Sequence, residues 1–155
     1  MAVEIRTATP ADVDAVRFVG FSTWPATYGP ICGPSFVLAG LDEWWSPQAL
    51  AYSLGHGLIL VAQQEDAVVG VAEYGVTDAG VVLWKLYVLP SHHGRGVGSA
   101  LLARVADVAA QRSCALITEC HASNGAAVAF YTARGFRQTG LNDNVFGKTI
   151  SWQLP

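Results

Sequence analysis

The segment that decides the fold runs from Trp84 to Leu102 and reads WKLYVLPSHHGRGVGSALL. Its apolar first half is typical of a β-strand that ends at Pro90, and an amphipathic helix is predicted over residues 98–111. Three glycines lie between the two elements, at positions 94, 96 and 98. Glycine tolerates positive φ and lets a ligand approach the backbone, and a helix N-terminus favours negative charge. The segment therefore predicts a phosphate site rather than a plain glycine-rich turn.

Known phosphate-binding loops narrow the choice of ligand. A P-loop needs Gly-Lys-Ser or Gly-Lys-Thr at the start of its helix, and this loop lacks that triplet. A dinucleotide fingerprint needs Gly-x-Gly-x-x-Gly, but the third glycine position holds Ser99 or Leu101, depending on the starting glycine. Coenzyme A, whose pyrophosphate needs such a cradle, remains a candidate ligand.

Outward from this segment, strand and helix patterns alternate along the chain. Short links near residues 65–66 and 78–80 predict an antiparallel meander. The predicted order is β-α-α-β-β-β-α-β-α-β-β, a mixed α/β (α+β) fold in which helices flank a central, mostly antiparallel, twisted sheet. The predicted strands span residues 3–7, 58–63, 68–76, 81–89, 115–120, 136–141 and 145–152, with a turn at Asn142-Asp143 between the last two. The predicted helices begin at Thr9-Pro10, at Ser46-Pro47, near Gly98 and at Asn124, and Gly and Pro are expected to break residues 21–45.

Length and composition exclude several classes of protein. The chain of 155 residues is the size of one domain, residues 1–155. With 52% hydrophobic and 14% charged residues it is not intrinsically disordered, and no uncharged apolar run reaches the length of a membrane helix. A net charge of −3 argues against a nucleic-acid partner. Three cysteines, an odd number, and an acidic N-terminal segment favour reduced thiols in a cytoplasmic protein.

Two segments carry a resemblance to a known family: WKLYVLPSHHGRGVGSALL and, starting at Ala122, ASNGAAVAFYTARGF. Together with the order of elements, they resemble the GNAT superfamily of acetyl-CoA-dependent N-acetyltransferases. The resemblance implies acetyl-CoA as the acyl donor, no metal, and a primary amine as acceptor, on a small molecule or on a protein N-terminus or lysine. It implies direct attack of the amine through a tetrahedral intermediate; the alternative is a non-catalytic acyl-CoA-binding module or sensor. Nucleic acid and membrane are not expected as partners, whereas a homodimer is one option.

The resemblance also implies which residues bind the donor. The family's pyrophosphate motif, Arg/Gln-x-x-Gly-x-Gly/Ala, falls on His93, Gly96 and Gly98, and His93 departs from it. The backbone of the preceding strand would pair with the pantetheine arm, and the N–H of Val88 would hold the thioester carbonyl and its oxyanion. The residues expected to contact the donor are Leu86, Tyr87, Val88, His93, Gly94, Arg95, Gly96, Val97, Gly98, Ser99, Asn124 and Tyr131.

The resemblance further implies a catalytic acid and leaves the base open. Asn124 and Tyr131 are seven residues apart and so share one helix face. They match the family's coenzyme-binding Asn and its catalytic Tyr, which would protonate the departing thiolate; the alternative is that Tyr131 is a core aromatic. The amine must lose a proton before it attacks. Glu119, five residues before Asn124, and Glu73, in an apolar strand, are equal candidates for the base, and water alone is the third.

The acceptor end is the least determined part of the site. The first 80 residues carry a formal charge of −7 and the remainder +4. This asymmetry indicates either two differently solvated faces or an anionic ligand at the second half and a cationic acceptor near the first. The residues expected to contact the acceptor are Trp24, Tyr28 and Glu73, with Trp44, Trp45, Asp42 and Glu43 as an acidic aromatic wall. The alternative is that these aromatic side chains cover the sheet as core. The four histidines lack metal-ligand spacing, and no metal site is predicted.

Overall fold

One seven-stranded sheet runs through the protein, with helices on both faces. The computed structural model describes residues 2–144 and 147–155. The strands are β1 (Glu4–Thr7), β2 (Ile59–Gln64), β3 (Ala67–Thr77), β4 (Gly80–Val88), β5 (Leu116–His121), β6 (Arg137–Asn144) and β7 (Gly147–Leu154), in the spatial order β1-β2-β3-β4-β5-β7-β6. The helices are α1 (Val13–Cys32), α2 (Pro34–Trp44), α3 (Pro47–Gly55), α4 (Val97–Gln111) and α5 (Gly125–Ala133), with 3₁₀ turns at Pro10–Asp12 and Pro90–His92. Within these described residues, no helix combines the length and the apolar character needed to cross a membrane.

Neighbouring strands are antiparallel, except that β4 and β5 run parallel. Short turns join β2 to β3 and β3 to β4, so the chain reverses at each of them. Between β4 and β5 the chain crosses over as α4, which returns the next strand in the same direction. The predicted mixed, mostly antiparallel sheet is therefore confirmed.

A β-bulge bends β4 in its middle. Glu73 of β3 faces Lys85 and Tyr74 faces Leu83, so Trp84 is an extra residue on β4. The bend coincides with the end of the parallel ladder, because the last described pair between β4 and β5 joins Leu83 and Thr118. At this pair the Thr118 hydroxyl also donates to the Leu83 carbonyl at 3.0 Å. Beyond it both strands continue without pairing to each other in the described part of the chain, and a gap separates them.

Each face of the sheet has its own hydrophobic cluster. The amphipathic helix predicted over residues 98–111 is confirmed, since the apolar residues on one face of α4 recur at helical spacing and are almost fully buried. These buried residues of α4 are Val97, Leu101, Leu102, Val105 and Ala109. Tyr131 and Phe136 belong to the same cluster, below α4 and α5. The opposite face carries α1, α2 and α3, and its buried residues include Val16 and Val19 of α1 and Trp45, which directly follows α2.

The structure contains one helix more before β2 than predicted. The helix α1 continues to Cys32 although Pro25 and Pro30 lie inside it, and α2 follows directly. An interior proline loses one backbone hydrogen bond and crowds the preceding turn, which is why a break was expected over residues 21–45. Both prolines are exposed, whereas one face of α1 is buried. Burial of that face outweighs the local cost of the two prolines.

The turn predicted at Asn142-Asp143 is wrong. The strand β6 continues through both residues to Asn144, and they pair with Thr149 and Lys148 of β7. Asn and Asp are common turn residues, but here cross-strand pairing determines their conformation. Val145, predicted as the first residue of the last strand, lies outside the described residues.

Replacing Gly20 by alanine is expected to destabilise the protein. A Cβ atom at Gly20 in α1 would lie 2.3 Å from the ring of Trp45, which is 0% exposed. Overpacking of this kind costs roughly 1–3 kcal/mol of unfolding free energy, measurable by urea denaturation.

The matched control is Gly29→Ala in the same helix, where an added Cβ meets no heavy atom within 4 Å. Alanine is expected to stabilise the helix there by about 0.5–1 kcal/mol. A Gly20→Ala variant as stable as the parent would contradict the close packing of α1 on Trp45.

Candidate functional site

A cavity of about 660 Å³ lies where the end of β4, the glycine loop, α4 and α5 meet. It brings together the residues expected to bind the donor, with the exception of Arg95, which is exposed and does not line it. The predicted residues that line the cavity are Leu86, Tyr87, Val88, His93, Gly94, Gly96, Val97, Gly98, Ser99, Asn124 and Tyr131. One wall was not anticipated, because Thr23, Ala26 and Thr27 of α1 also line the cavity.

The glycine loop has the backbone geometry of a phosphate cradle. Gly94 and Gly96 have φ values of +73° and +79°, which side chains rarely tolerate, and Gly96 is the N-cap of α4. A Cβ atom at either position would meet no heavy atom within 4 Å, so the loop faces open space. Gly98 and Ser99, in the first turn of α4, line the same cavity. The first backbone N–H groups of a helix have no partner within it and carry partial positive charge, so this arrangement suits an anion.

His93, which departs from the family's motif, is bonded to the backbone. Its Nε2 donates to the Val88 carbonyl at 2.7 Å and so ties the loop to the end of β4. The neighbouring His92 makes a 2.7 Å hydrogen bond from Nε2 to the side chain of Gln64. Both histidines therefore hold the loop in place through a ring nitrogen.

The backbone edge at the end of β4 faces the gap between β4 and β5. No strand among the described residues pairs with Leu86, Tyr87 or Val88 on the side that faces β5, while β3 pairs with all three on the other side. The side chains of Leu86 and Val88 pack on the cluster below α4, and Tyr87 packs on the opposite cluster. An extended ligand in the gap can therefore pair with this backbone edge as an added strand.

Asn124 and Tyr131 both lie at the cavity, as their spacing predicted. Asn124 is the N-cap of α5, and its side-chain oxygen accepts from the N–H of Ala127 at 3.2 Å. Tyr131, two turns later, is 6% exposed and packs edge-on against Phe130 and Phe136, with ring centroids 5.3 Å and 5.1 Å away. Tyr131 therefore packs in the hydrophobic core and also lines the cavity.

The burial of Tyr131 controls its ionisation. Loss of solvation raises the pKa of the phenol to about 12, and the nearby Thr118 hydroxyl only partly lowers it. Tyr131 therefore keeps its proton at physiological pH and can donate a hydrogen bond into the cavity.

The two carboxylates predicted as bases differ in environment, and neither lines the cavity. Glu73 is 6% exposed and forms an ion pair with Lys85, whose ammonium lies 5.2 Å from the centroid of the Trp45 ring. Glu119 is exposed, one residue after Thr118 on β5. Because side chains alternate along strands, both carboxylates lie on the face of the sheet opposite Tyr131.

Trp24 and Tyr28 form part of an aromatic cluster beside the cavity rather than its lining. Trp24 is 6% exposed and has Tyr28, Phe36 and Trp44 within 5.9 Å between ring centroids. The hydroxyls of Tyr28 and Tyr87 are 3.1 Å apart, which joins the cluster to the cavity wall. Burial raises the pKa of both phenols, so both stay neutral.

Sequence reasoning missed Phe130 and Arg134, which also line the cavity. They are four residues apart on the face of α5 that carries Tyr131, and this spacing is the signal that could have found them. Among the described residues, no group of three or more His, Cys, Asp or Glu side chains is arranged to hold a metal ion.

Known proteins share both the sequence pattern and the fold of this chain. The sequence model of the Acetyltransferase (GNAT) family matches residues 22–136. An uncharacterized N-acetyltransferase of Mycobacterium tuberculosis is 30% identical over 133 residues, which are 83% of this chain and 85% of that protein. The spermidine N(1)-acetyltransferase of Thermoplasma acidophilum is 23% identical over 147 residues, or 88% of this chain and 89% of that protein. The crystal structure of the PaiA N-acetyltransferase from Thermoplasma acidophilum, in complex with coenzyme A, has the same fold, with a TM-score of 0.87 and 20% identity over 99% of this chain and 100% of that one.

The raised pKa of Tyr131 predicts a loss of stability at alkaline pH. The phenol ionises near pH 10 in an unfolded chain but has a pKa of about 12 in the folded protein. Between these values the unfolded state releases the proton and the folded state keeps it, so the free energy of unfolding falls as pH rises. Urea denaturation at pH 8 and pH 11 should show a loss that is larger in the parent than in Tyr131→Phe by roughly 1 kcal/mol. Equal losses would contradict the burial of this hydroxyl.

Proposed function

The chain belongs to the GNAT family of acetyltransferases, which use acetyl-CoA, and on this premise we propose that it transfers the acetyl group to a primary amine by direct attack of the amine on the thioester. One observation carries the proposal: a single cavity holds the glycine cradle, the edge of β4 with which no described strand pairs, Asn124 and Tyr131. A phosphate site, a backbone edge for an extended arm and a proton donor are the three features that a coenzyme A thioester requires.

The donor site takes the following form. The loop from His93 to Gly98 holds the pyrophosphate through backbone N–H groups and the start of α4. The backbone of Leu86 to Val88 pairs with the pantetheine amides, and Asn124 lies along the same arm. The cavity of about 660 Å³ falls within the usual range of small-molecule sites. When bound, acetyl-CoA supplies the activated acetyl group.

The chain's own groups then stabilise charge and move protons. The N–H of Val88 donates to the carbonyl oxygen of the acetyl group as that oxygen gains negative charge. As the C–N bond forms and the C–S bond breaks, Tyr131 gives its proton to the departing sulfur and regains one from solvent. The raised pKa of Tyr131, about 12, keeps the donor proton in place at physiological pH.

Glu119 accepts the proton of the attacking amine, directly or through water. Its carboxylate is exposed, on the face of the sheet opposite the Tyr131 side chain, so acid and base act from two sides. Glu73 is the weaker candidate because it already pairs with Lys85. A proton on Glu73 would leave the Lys85 ammonium buried without a counter-charge.

The acceptor approaches from the face that carries α1 and α2. The pair of Tyr28 and Tyr87 hydroxyls lies at the border between the cavity wall and this face. Asp42 and Glu43 are exposed on α2, whose Trp44 belongs to the aromatic cluster, and their charge favours a cationic amine. The similarity to a spermidine N(1)-acetyltransferase supports a small amine of this class.

Tyr131→Phe is expected to bind coenzyme A as the parent does but to turn over roughly 10² to 10⁴ times more slowly, the range for one general acid. The measurements are calorimetric titration with coenzyme A and release of free thiol from acetyl-CoA with a panel of amines. If parent and variant turn over at the same rate while the chemical step is rate-limiting, the Tyr131 phenol has only a packing role. No thiol release by the parent with any amine would favour a binding module instead.

Glu119→Gln is expected to lower turnover and to flatten the rise of rate between about pH 6 and pH 8.5, because the amine then lacks its proton acceptor. Glu73→Gln is the matched control: it makes the same chemical change on the same face of the sheet. The control should lose stability, since Lys85 becomes an uncompensated buried charge, while its pH–rate midpoint stays that of the parent. If the midpoint of the pH–rate profile shifts in Glu73→Gln but not in Glu119→Gln, Glu73 is the base and Glu119 is not.

A further inference from the structure

The end of β4 is paired on one side only. The N–H of Leu89, directly after β4, donates to the Val69 carbonyl of β3 at 2.8 Å. Because successive N–H groups of a strand point in opposite directions, the N–H of Val88 points the other way, into the gap. No strand among the described residues pairs with Val88 there. The pairing with β3 and the side chains of this segment therefore determine where the Val88 N–H points.

Tyr87 is anchored on the face of the sheet that carries α1 to α3. Its two neighbours on the edge, Leu86 and Val88, pack on the cluster below α4 instead. Their contacts are apolar and therefore have no preferred direction. The Tyr87 side chain packs on the opposite cluster, and its hydroxyl can form a directional hydrogen bond there. Of the three edge residues, Tyr87 is therefore the one that can fix the orientation of the segment.

Both the ring and the hydroxyl of Tyr87 are held. The ring packs edge-on against Trp45, with centroids 5.5 Å apart and an angle of 66° between the planes. Trp45 is fully buried, and its carbonyl accepts from Arg17 Nε at 2.9 Å. The Tyr87 hydroxyl lies 3.1 Å from the hydroxyl of Tyr28 on α1, within hydrogen-bonding distance. These contacts connect the end of β4 to α1.

The hydroxyl pair of Tyr28 and Tyr87 is uncharged. Burial raises the pKa of both phenols, that of Tyr87 well above its ordinary value. Removing one hydroxyl leaves the other without this partner, so we expect the two residues to act as a unit. Thr23, Ala26 and Thr27, which precede Tyr28 on α1, line the cavity. The hydroxyl pair therefore also fixes this wall of the cavity relative to β4.

We infer that Tyr28 and Tyr87 are positioning residues, whose hydroxyl pair holds the end of β4 so that the Val88 N–H points at the acetyl oxygen. The inference rests on the proposed role of that N–H and adds to it a residue of α1. Tyr28 does not line the cavity, so it acts through Tyr87 and the backbone. The direction of the N–H matters because such a donor stabilises an oxyanion only when it lies about 2.7–3.1 Å away.

The test is a double-mutant cycle in which each change removes one oxygen atom. The variants are Tyr28→Phe, Tyr87→Phe and the double variant. The matched control is Tyr74→Phe, whose hydroxyl lies 3.5 Å from the Gly57 carbonyl and whose ring packs on the other cluster. Thiol release gives kcat and the KM of the amine, and calorimetry gives the dissociation constant of coenzyme A. Hydrogen exchange of the Leu89 amide measures, without substrate, how firmly the end of β4 is held.

Each single variant should lower kcat roughly tenfold, which is less than the factor of about 10²–10³ for complete loss of an oxyanion donor. The double variant should lose no more than either single variant, because the two hydroxyls form one contact. The KM of the amine should match that of the parent, and the affinity for coenzyme A should fall by less than kcat, because the glycine loop is unchanged. Tyr74→Phe should keep the kcat of the parent. The Leu89 amide should exchange faster in all three variants of the hydroxyl pair.

Three results would overturn the inference: an unchanged kcat in Tyr28→Phe, additive losses in the double variant, or a loss confined to the KM of the amine, which would make the pair an acceptor contact. Failure of the proposed function is recognised separately. If the parent releases no thiol with any amine, acetyl transfer is wrong, and exchange of the Leu89 amide alone then tests the hydroxyl pair. Equal exchange rates in the parent and in Tyr28→Phe would show that the pair does not hold β4.

Discussion

The site depends on one constraint, the end of pairing between β4 and β5 at Leu83 and Thr118. The bulge at Trp84 bends β4 at this point, and the Thr118 hydroxyl donates a hydrogen bond to the Leu83 carbonyl at the last pair of the ladder. A fully paired sheet would satisfy the backbone of Leu86 to Val88 internally and leave no edge for a ligand. Because the strands separate instead, the same sheet supplies a rigid frame and an open recognition edge.

Glu73 and Lys85 occupy the position where this bend begins. They face each other across β3 and β4, adjoining the extra residue Trp84, and the Lys85 ammonium lies over the ring of Trp45. A buried ion pair stabilises a protein only if both members are present, because either alone is an uncompensated charge. In this protein the pair links the bulge to the helical layer of α1 to α3.

The separation of the strands also divides the proposed chemistry between the two faces of the sheet. Tyr131 belongs to the hydrophobic cluster below α4 and α5, whose low polarity keeps its phenol protonated. Glu119 faces the other side of the sheet and is exposed to solvent. The proposed acid and the proposed base are thus placed in different environments.

The sequence alone predicted most of the elements and most of the residues that line the cavity, because both depend on local patterns: glycines at 94, 96 and 98 before an amphipathic helix, and Asn124 and Tyr131 two turns apart. Local propensity failed where long-range contacts decide, as in α1, which continues through Pro25 and Pro30, and in β6, which continues through Asn142-Asp143. Only the tertiary structure decided that Glu73 pairs with Lys85, that His93 bonds to the backbone and that Arg134 lies beside the cradle. These contacts join residues from different elements or turn a side chain onto the backbone, and no sequence period encodes the distances between them.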